Sequence, residues 1–317
     1  MSEKTMKAAR FHQHGTPDVL QIEDVEIPAP AAGEVRIRVA ASAFNPADNG
    51  IRAGFLPIPV SLPHTPGYDV AGTIDALGDD VSAFTEGDAV IGFLPMTAPG
   101  AAAEYVIAPA SALVSAPTSI PLVDAAAIPS VALTARQALF DEAGLEQGQR
   151  VLVVGAGGTV GGFAVQFAKQ AGAHVIATAS PRSSRSVRDA GADEVIDHTA
   201  TTVPESIGEP VDLLLNLAPI DPEEFEALVE RVRDGGVVVS TTAWMPAPDD
   251  ASRGVRSVVV YVRSESDQLA RIVSLVDSGD VRVEVARRVP LTELAAVHAE
   301  ATAGTLRGKV VVLPIIA

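Results

Sequence analysis

Three glycines at intervals of three positions, Gly155, Gly158 and Gly161, carry the clearest chemical signal in the chain. They follow the apolar run 151–154 and precede an amphipathic run that Gly172 closes. This order predicts a strand, a tight turn and a helix. Glycines let the backbone of such a turn approach a phosphate, and the new helix directs free N–H groups and its positive dipole end at that phosphate. The glycines therefore favour a dinucleotide site, although a glycine-rich turn without a ligand gives the same pattern.

The residues after the next apolar strand, 174–179, indicate which dinucleotide binds. An Asp or Glu at the end of this strand would accept a hydrogen bond from the ribose 2′-hydroxyl and select NAD. Here the strand runs into a segment that contains Ser180, Arg182 and Arg185, and no carboxylate appears before Asp189. Because arginine binds phosphate through a planar set of donors, this segment predicts the 2′-phosphate of NADPH. A solvated helix start with surface arginines is the alternative interpretation.

The composition limits the possible partners. Lys and Arg total 23 and Asp and Glu total 40, which gives a net charge of −17. Such a charge repels nucleic acid and anionic membranes. The chain has no cysteine, so it has neither disulfides nor thiolate metal sites. The N-terminus lacks the apolar core of a signal peptide, and no run approaches the ~18 apolar residues of a membrane span. We therefore predict a soluble, cytoplasmic protein.

The pattern of predicted elements changes twice along the chain. Residues 1–123 contain short alternating strands and many prolines, which is typical of a partly open β-barrel. Residues 124–279 alternate apolar strands with amphipathic helices, the pattern of a parallel doubly wound sheet. Residues 280–317 show no further strand–helix–strand repeat, so we assign them to the first domain. The prediction is an α/β fold in which a Rossmann domain is inserted into a barrel domain.

Short motifs in matching order run nearly from one end of the chain to the other. They are Phe44-Asn45-Pro46-Ala47-Asp48 with Arg52 and Gly54, 66–72 (PGYDVAG), 87–92 (GDAVIG), 133–135 (LTA), the glycine turn, 191–193 (GAD) and 307–310 (RGKV). Together they resemble the medium-chain dehydrogenase/reductase superfamily, in particular its zinc-independent quinone oxidoreductase branch. The resemblance implies a GroES-like barrel, an inserted Rossmann domain that binds NADPH, and a homodimer.

The resemblance also implies where a cofactor is held. The turn residues that would contact the pyrophosphate are Gly158, Thr159, Val160 and Gly161. Thr159 replaces a glycine of the family pattern but keeps its backbone N–H. Asn45, Thr134 and Lys309 would lie toward the nicotinamide end. Asn216 follows an apolar strand and is a further candidate, although it and Asn45 could each simply form a turn.

Zinc-dependent members of the superfamily carry Cys where this chain has Asn45 and a His-Glu pair where it has Tyr68-Asp69. A catalytic zinc needs about three protein ligands, and these replacements do not supply them. His64 is near in sequence but has no partner, so we interpret it as a loop residue. We therefore predict no metal and a transfer of hydride from NADPH to a quinone or to an α,β-unsaturated carbonyl, an enone or enoyl compound.

The sequence leaves two alternative sources for the proton. Many relatives have Tyr or Lys two positions after the Asp of the Asn-Pro-x-Asp motif, a residue proposed as the proton donor, whereas this chain has Gly50. Either solvent protonates the product or another group does, with Tyr68, Tyr105 and Tyr261 as candidates. Asn45 and Tyr68 are the two candidate catalytic residues. Two other functions stay open: an NADPH-binding sensor or structural protein without significant turnover, and a zinc alcohol dehydrogenase.

The segment Ser257 to Val262 is apolar enough to pair edge to edge with its copy in a dimer. A buried sixth strand of the sheet explains the same residues, and the two interpretations are compatible.

Overall fold

The strand Glu34–Ala43 shows how the sequence forms the first part of the molecule. Its apolar residues Val35, Ile37 and Val39 are buried and alternate with charged residues, of which Arg38 is exposed. The strand has antiparallel neighbours on both sides, so it lies inside its sheet. The alternation therefore determines which face of this sheet enters the core.

The computed structural model describes residues 5–242, 245 and 247–314, which fold as two units. The first unit takes its described residues from Met1–Ser130 and Ser264–Ala317, and the second unit is Val131–Arg263. The second unit is therefore inserted into the first.

The units divide at 130/131 and 263/264, whereas the sequence predicted divisions at 123/124 and 279/280. The helix Ser266–Asp277 belongs to the first unit, because the backbone N–H groups of Thr118 and Ser119 both donate to the carboxylate of Asp277 at 2.8 Å.

The first part of the chain forms mainly strands. They are β1 (Thr5–Arg10), β2 (Gln21–Glu26), β3 (Glu34–Ala43), β4 (Asp69–Leu77), β5 (Ala89–Phe93), β6 (Tyr105–Pro109) and β7 (Leu113–Ser115). Its helices are α1 (Pro46–Ala53), α2 (Leu122–Ala125) and α3 (Pro129–Arg136). The alanine-rich residues 124–143 predict a helix with Pro129 near its start or at a kink. The structure has α3 beginning at Pro129, and a π-helical stretch, Gln137–Glu142, follows it.

The second unit alternates strands and helices. The strands are β8 (Arg150–Val154), β9 (His174–Ala179), β10 (Glu194–Asp197), β11 (Val211–Asn216), β12 (Val232–Ser240) and β13 (Arg256–Val259). The helices are α4 (Thr159–Gln170), α5 (Ser184–Asp189), α6 (Val203–Ser206) and α7 (Pro222–Val229). In the described residues these strands form one parallel sheet in the order β10-β9-β8-β11-β12-β13. This is the strand order of a dinucleotide-binding Rossmann sheet.

The core of the sheet is built from strand residues that the apolar runs predicted. Leu152, Ile176, Leu214 and Val238, from four neighbouring strands, are buried in one cluster together with Phe225 of α7. The last connection differs from the prediction, since the described part of 241–255, between β12 and β13, contains no helix.

The chain then returns to the first unit through α8 (Ser266–Asp277), β14 (Arg287–Pro290), α9 (Leu294–Thr302) and β15 (Val310–Leu313). In the described residues the larger sheet of this unit has the order β14-β15-β3-β4-β5-β7, with β6 also paired to β3, and β1 and β2 form a separate hairpin. The C-terminal strand β15 thus lies beside β3, which places Lys309 next to the start of α1.

None of the described helices is long and apolar enough to span a membrane.

Candidate active site

The glycine turn joins β8 to α4, as the sequence analysis expected. Gly155 has φ +82°, a left-handed conformation that favours glycine. The N–H of Gly158 donates to the carbonyl of Gly155 at 3.0 Å and closes the turn. A Cβ on Gly161 would lie 2.5 to 2.6 Å from backbone atoms of Gly155 and Ala156. Only glycine therefore lets the helix pack this closely onto the turn.

The start of α4 is open to a ligand. Its N-cap is Gly158, no side chain caps it, and Gly158 is exposed. The first residues of a helix have backbone N–H groups without partners inside the helix. Thr159, Val160 and Gly161 occupy these positions. This end of the helix can accept the pyrophosphate of a dinucleotide.

The serine–arginine segment, 180–185, lies directly against this turn. A Cβ on Gly157 would be only 2.4 Å from Oγ of Ser183. Ser183 is held in place by Ser180, whose backbone N–H donates to the Ser183 hydroxyl at 3.2 Å. The two parts of the predicted dinucleotide site, which meet at Gly157 and Ser183, are therefore adjacent in the second unit although they are separate in the sequence.

The two arginines of this segment are exposed. Within the part of the chain that the structure describes, no hydrogen bond or ion pair engages the guanidinium group of Arg182 or of Arg185. Arg188, which lies on α5 with Arg185, instead donates to the carbonyl of Ser184 at 3.4 Å. In a chain of net charge −17, two unpaired guanidinium groups beside a phosphate turn favour binding of a further phosphate.

Asn216 lies at the carboxyl end of β11, next to the glycine turn. It is opposite Val154 in the parallel register, and a Cβ on Gly155 would lie 3.0 Å from Cβ of Ala218. The Asn216 side chain is fully buried, and its Oδ1 accepts a hydrogen bond from the N–H of Ala218 at 3.4 Å. Thr134 is partly buried on α3. Asn216 thus lies beside the glycine turn, and its amide also supports the loop after β11.

A second group of polar side chains is buried in the first unit. We call it the polar cluster; its members are Asn45, Asp69, Ser130 and Lys309. Asn45 and Lys309 were candidates from the sequence, whereas Asp69 and Ser130 were not. Asp69 appears in the sequence motif 66–72 and at a position where zinc-dependent members carry Glu, but nothing in the sequence marks Ser130 as its partner.

The Lys309 side chain is 3% exposed and makes three hydrogen bonds. Its ammonium donates to Oδ1 of Asn45 at 2.6 Å, to Oδ2 of Asp69 at 3.2 Å and to the carbonyl of Phe44 at 3.3 Å. Each proton of the ammonium group therefore has an acceptor. A buried charge is tolerated when it is paired and hydrogen-bonded in this way.

Asp48 holds the start of α1 beside the polar cluster. Its two oxygens accept hydrogen bonds from the backbone N–H groups of Asn45, at 2.8 Å, and Gly67, at 2.7 Å. These bonds favour the ionised form, but burial is the larger influence and raises the pKa of Asp48 to about 7.

The raised pKa of Asp48 predicts a pH-dependent stability. The folded state binds this proton more tightly than the unfolded state, whose pKa is near 3.8, so the stabilisation is present below that pH and is lost as the pH rises toward about 7. Between about pH 5 and about pH 8 the wild type should lose roughly 2 kcal/mol of unfolding free energy relative to Asp48→Asn. Urea unfolding of both proteins at these pH values measures the difference. Parallel pH profiles would show that Asp48 does not titrate in this range.

Tyr68, a candidate proton donor, is 1% exposed, and its hydroxyl shares a hydrogen bond of 2.8 Å with Nε2 of His64. Burial raises the pKa of Tyr68 and lowers that of His64 to about 4, so both groups are neutral near pH 7. Tyr105 packs under the guanidinium of Arg36 at 5.7 Å, and Tyr261 is 70% exposed. The Tyr68 hydroxyl is thus engaged within the first unit.

Gly50, where many relatives have Tyr or Lys, faces an apolar side chain. A Cβ at this position would lie 2.7 Å from Cγ of Leu56. The backbone N–H of Leu56 donates to the carbonyl of Gly50 at 3.2 Å and keeps this side chain over the helix. Leu56 therefore occupies the space that a side chain at position 50 would need.

Metal-binding side chains do not come together in the described residues. No group of three or more His, Cys, Asp or Glu there could hold a metal ion.

Two sequence families match the chain. The family described as alcohol dehydrogenase GroES-like domain matches residues 31–118, and the one described as zinc-binding dehydrogenase matches residues 190–312. The chain is 30% identical to the chloroplast envelope quinone oxidoreductase homolog of Arabidopsis thaliana, over 99% of this chain and 100% of that protein.

Solved structures agree with these matches. The quinone oxidoreductase from Coxiella burnetii superposes with a TM-score of 0.90 at 30% identity, covering 98% of this chain and 99% of that one. A mycobacterial protein solved in complex with NADPH has a TM-score of 0.85 at 28% identity, covering 98% of this chain and 100% of that one.

The barrel, the parallel sheet and the glycine turn define a nicotinamide-dinucleotide-dependent oxidoreductase. The chain belongs to the medium-chain dehydrogenase/reductase superfamily, in its quinone oxidoreductase branch. The predicted family and fold class are confirmed. NADPH rather than NADH, the homodimer and the cytoplasmic location stay predictions.

Proposed function

We propose that the protein is a zinc-independent reductase that uses NADPH to transfer hydride to a quinone or to an α,β-unsaturated carbonyl compound. One observation carries the choice of NADPH: Ser183 contacts the glycine turn at Gly157, and the unpaired guanidinium groups of Arg182 and Arg185 belong to the same segment. A pyrophosphate site and a 2′-phosphate site are thereby adjacent, as the adenosine half of NADPH requires.

The residues present fit this cofactor. We assign the pyrophosphate to the turn from Gly155 to Gly161, where the exposed N-cap Gly158 begins α4 without a side-chain cap, and the 2′-phosphate to Ser180, Arg182 and Arg185. Asn45, Thr134 and Lys309 are assigned to the nicotinamide end and Asn216 to the loop beside the turn, following the family resemblance. When bound, the reduced nicotinamide supplies the hydride, and the protein supplies orientation.

The donor chemistry of the first unit supports the zinc-independent part of the proposal. Asn45 and Tyr68 stand where zinc-dependent relatives carry Cys and His, and both are engaged by other side chains, Lys309 and His64. The Lys309 ammonium lies 3.2 Å from Asp69, so it would repel a divalent cation at these groups. A catalytic zinc takes about three protein ligands. These residues do not fit one, and we assign no step to a metal.

We further propose that solvent protonates the product. Leu56 fills the space beside Gly50, and the Tyr68 hydroxyl is hydrogen-bonded to His64. A reduced quinone is protonated on oxygen, which exchanges protons readily with water.

The test of this function is NADPH oxidation in the presence of a panel of acceptors: a naphthoquinone, an enone and an enoyl thioester. We expect turnover with at least one of them, and NADPH consumed in equal amount to the product formed. Tight NADPH binding without turnover on any acceptor would instead favour a sensor or structural protein. Gly50 is compatible with that function, because it supplies no proton donor.

We propose a homodimer that pairs through β13. This strand is the outer strand of the sheet next to β12, and within the described residues its other edge has no partner strand. Val258 and Val259 are only partly buried, and Tyr261 just beyond is 70% exposed. An exposed apolar edge favours pairing with a second strand. Light scattering at micromolar concentration should give twice the chain mass of 32.6 kDa. A single-chain mass would remove the dimer from the proposal.

A further inference from the structure

We infer that Asp69 is a positioning residue for hydride transfer, which acts by fixing Asn45 and Lys309. This inference rests on the proposed function, in which those two residues serve the nicotinamide end. They are 264 positions apart in the chain, and both bond to this one carboxylate.

Asp69 is fully buried at the start of β4, and both of its oxygens are occupied. Oδ1 accepts from the backbone N–H of Ser130 at 2.7 Å. Oδ2 accepts from the Ser130 hydroxyl at 2.6 Å, from Nδ2 of Asn45 at 2.8 Å and from the ammonium of Lys309 at 3.2 Å. One carboxylate therefore joins β4 to the starts of α1, α3 and β15.

The charges around Asn45 determine which way its amide points. Its Oδ1 accepts from the Lys309 ammonium at 2.6 Å, while its Nδ2 donates to the Asp69 carboxylate at 2.8 Å. A flipped amide would place its NH₂ group against the ammonium and its oxygen against the carboxylate. Both contacts would then be repulsive, so Asp69 and Lys309 together allow a single orientation of Asn45.

Asp69 is also the carboxylate that pairs with Lys309 in the described residues. Without it the ammonium would keep the carbonyl of Phe44 and Oδ1 of Asn45 but would lose its opposite charge. Because removing one partner of a buried pair leaves an uncompensated charge, Lys309 would move away from its present position. The orientation of Asn45 and the position of Lys309 therefore depend on the same group.

The test compares Asp69→Asn with Asp75→Asn. Asp75 lies on the same strand but pairs with Arg36 at 2.6 Å, with its side chain 31% exposed, so it serves as a matched control. We expect Asp69→Asn to lower kcat for NADPH oxidation about 100-fold, the order of loss caused by misplacing a reacting group. Binding of adenosine 2′,5′-bisphosphate, which probes only the adenosine half, should change less than about twofold, because its residues lie in the second unit.

The face of the nicotinamide ring from which the hydride leaves provides a second readout. With NADPH deuterated at either C4 position, the wild type should transfer deuterium from one label only, and Asp69→Asn from both. A residue that only stabilises the fold would reduce the amount of active protein without changing this selectivity. The inference is contradicted if Asp69→Asn matches Asp75→Asn, or if its activity falls with its folded fraction while the selectivity is kept.

The double variant Asp69→Asn/Lys309→Met keeps the test decisive if Asp69→Asn alone does not fold. Removing both charges of a buried pair is far less costly than removing one. A folded double variant that binds adenosine 2′,5′-bisphosphate normally but has lower facial selectivity than Lys309→Met alone supports the inference, and one with the selectivity of Lys309→Met contradicts it. The proposed function itself fails in a different way, because the wild type would then not oxidise NADPH with any acceptor.

Discussion

Gly161→Ala is expected to abolish useful NADPH binding. The new Cβ would lie 2.5 Å from Cα of Ala156 and 2.6 Å from the carbonyl oxygens of Ala156 and Gly155. Backbone atoms cannot move aside as the end of a flexible side chain can, so either the turn or the start of α4 must shift. We expect NADPH to bind at least about 100-fold more weakly, a loss of about 3 kcal/mol. Titration calorimetry with NADPH measures the change.

Gly162→Ala is the control for this substitution. A Cβ at Gly162 meets nothing within 4 Å, and alanine is a better helix former than glycine by about 1 kcal/mol. This variant should bind NADPH as the wild type does and unfold at slightly higher temperature. If both alanine variants bind NADPH equally well, the glycine turn is not the pyrophosphate site.

Arg182→Ala with Arg185→Ala should change the choice of cofactor. A hydrogen bond to a charged group contributes about 1.5 to 3 kcal/mol. If both guanidinium groups bind the 2′-phosphate, the double variant should therefore lose about 100-fold or more of its NADPH affinity. NADH lacks this phosphate, so its affinity should change less than about twofold. The ratio of the two dissociation constants is the quantity to measure.

Arg188→Ala is the matched control for charge. Arg188 lies on the same helix, α5, but donates to the carbonyl of Ser184. Its removal lowers the positive charge of the region by the same amount per residue and should leave the ratio nearly unchanged. An equal loss of NADPH and NADH affinity in the double variant would show that 180–185 is not the phosphate site.

The second unit could be predicted well because its signals are local. The turn at Gly155 needs glycine for its left-handed φ of +82°, and β9 and β10 have the bounds 174–179 and 194–197 that their apolar runs predict. Two elements differ from their sequence patterns, which predict a helix over 222–233 and a strand over 236–241, because tertiary pairing extended or shortened them. α7 ends at Val229, and β12 begins already at Val232, where it pairs with Val211 of β11.

The polar cluster could be predicted only in part. Asn45 and Lys309 were found through short motifs, but the carboxylate that joins them was not. Asp69 and Ser130 are 61 positions apart, and Asp69 and Lys309 are 240 apart. Such partners depend on the pairing of β15 with β3 and on the place where α3 begins. A single sequence carries no local signal for either.

Gly50 shows a different limit. The sequence indicated a missing proton donor at Gly50. Whether water or another side chain occupies the space beside Gly50 depends on the loop after α1. The structure places Leu56 there, because the backbone N–H groups of Phe55 and Leu56 both bond to the carbonyl of Gly50. The sequence alone shows that position 50 lacks the usual Tyr or Lys, but it does not show that Leu56 fills the space.

We propose that this chain reduces its acceptor with NADPH and without zinc. The most direct measurement is the rate of NADPH oxidation by a naphthoquinone after the protein has been treated exhaustively with a chelator and its zinc content determined. We predict undiminished turnover at negligible zinc, with NADPH strongly preferred over NADH. Turnover that disappears on chelation and returns only with added zinc would contradict a zinc-independent reductase. Bound NADPH that is never oxidised would contradict a reductase of any kind.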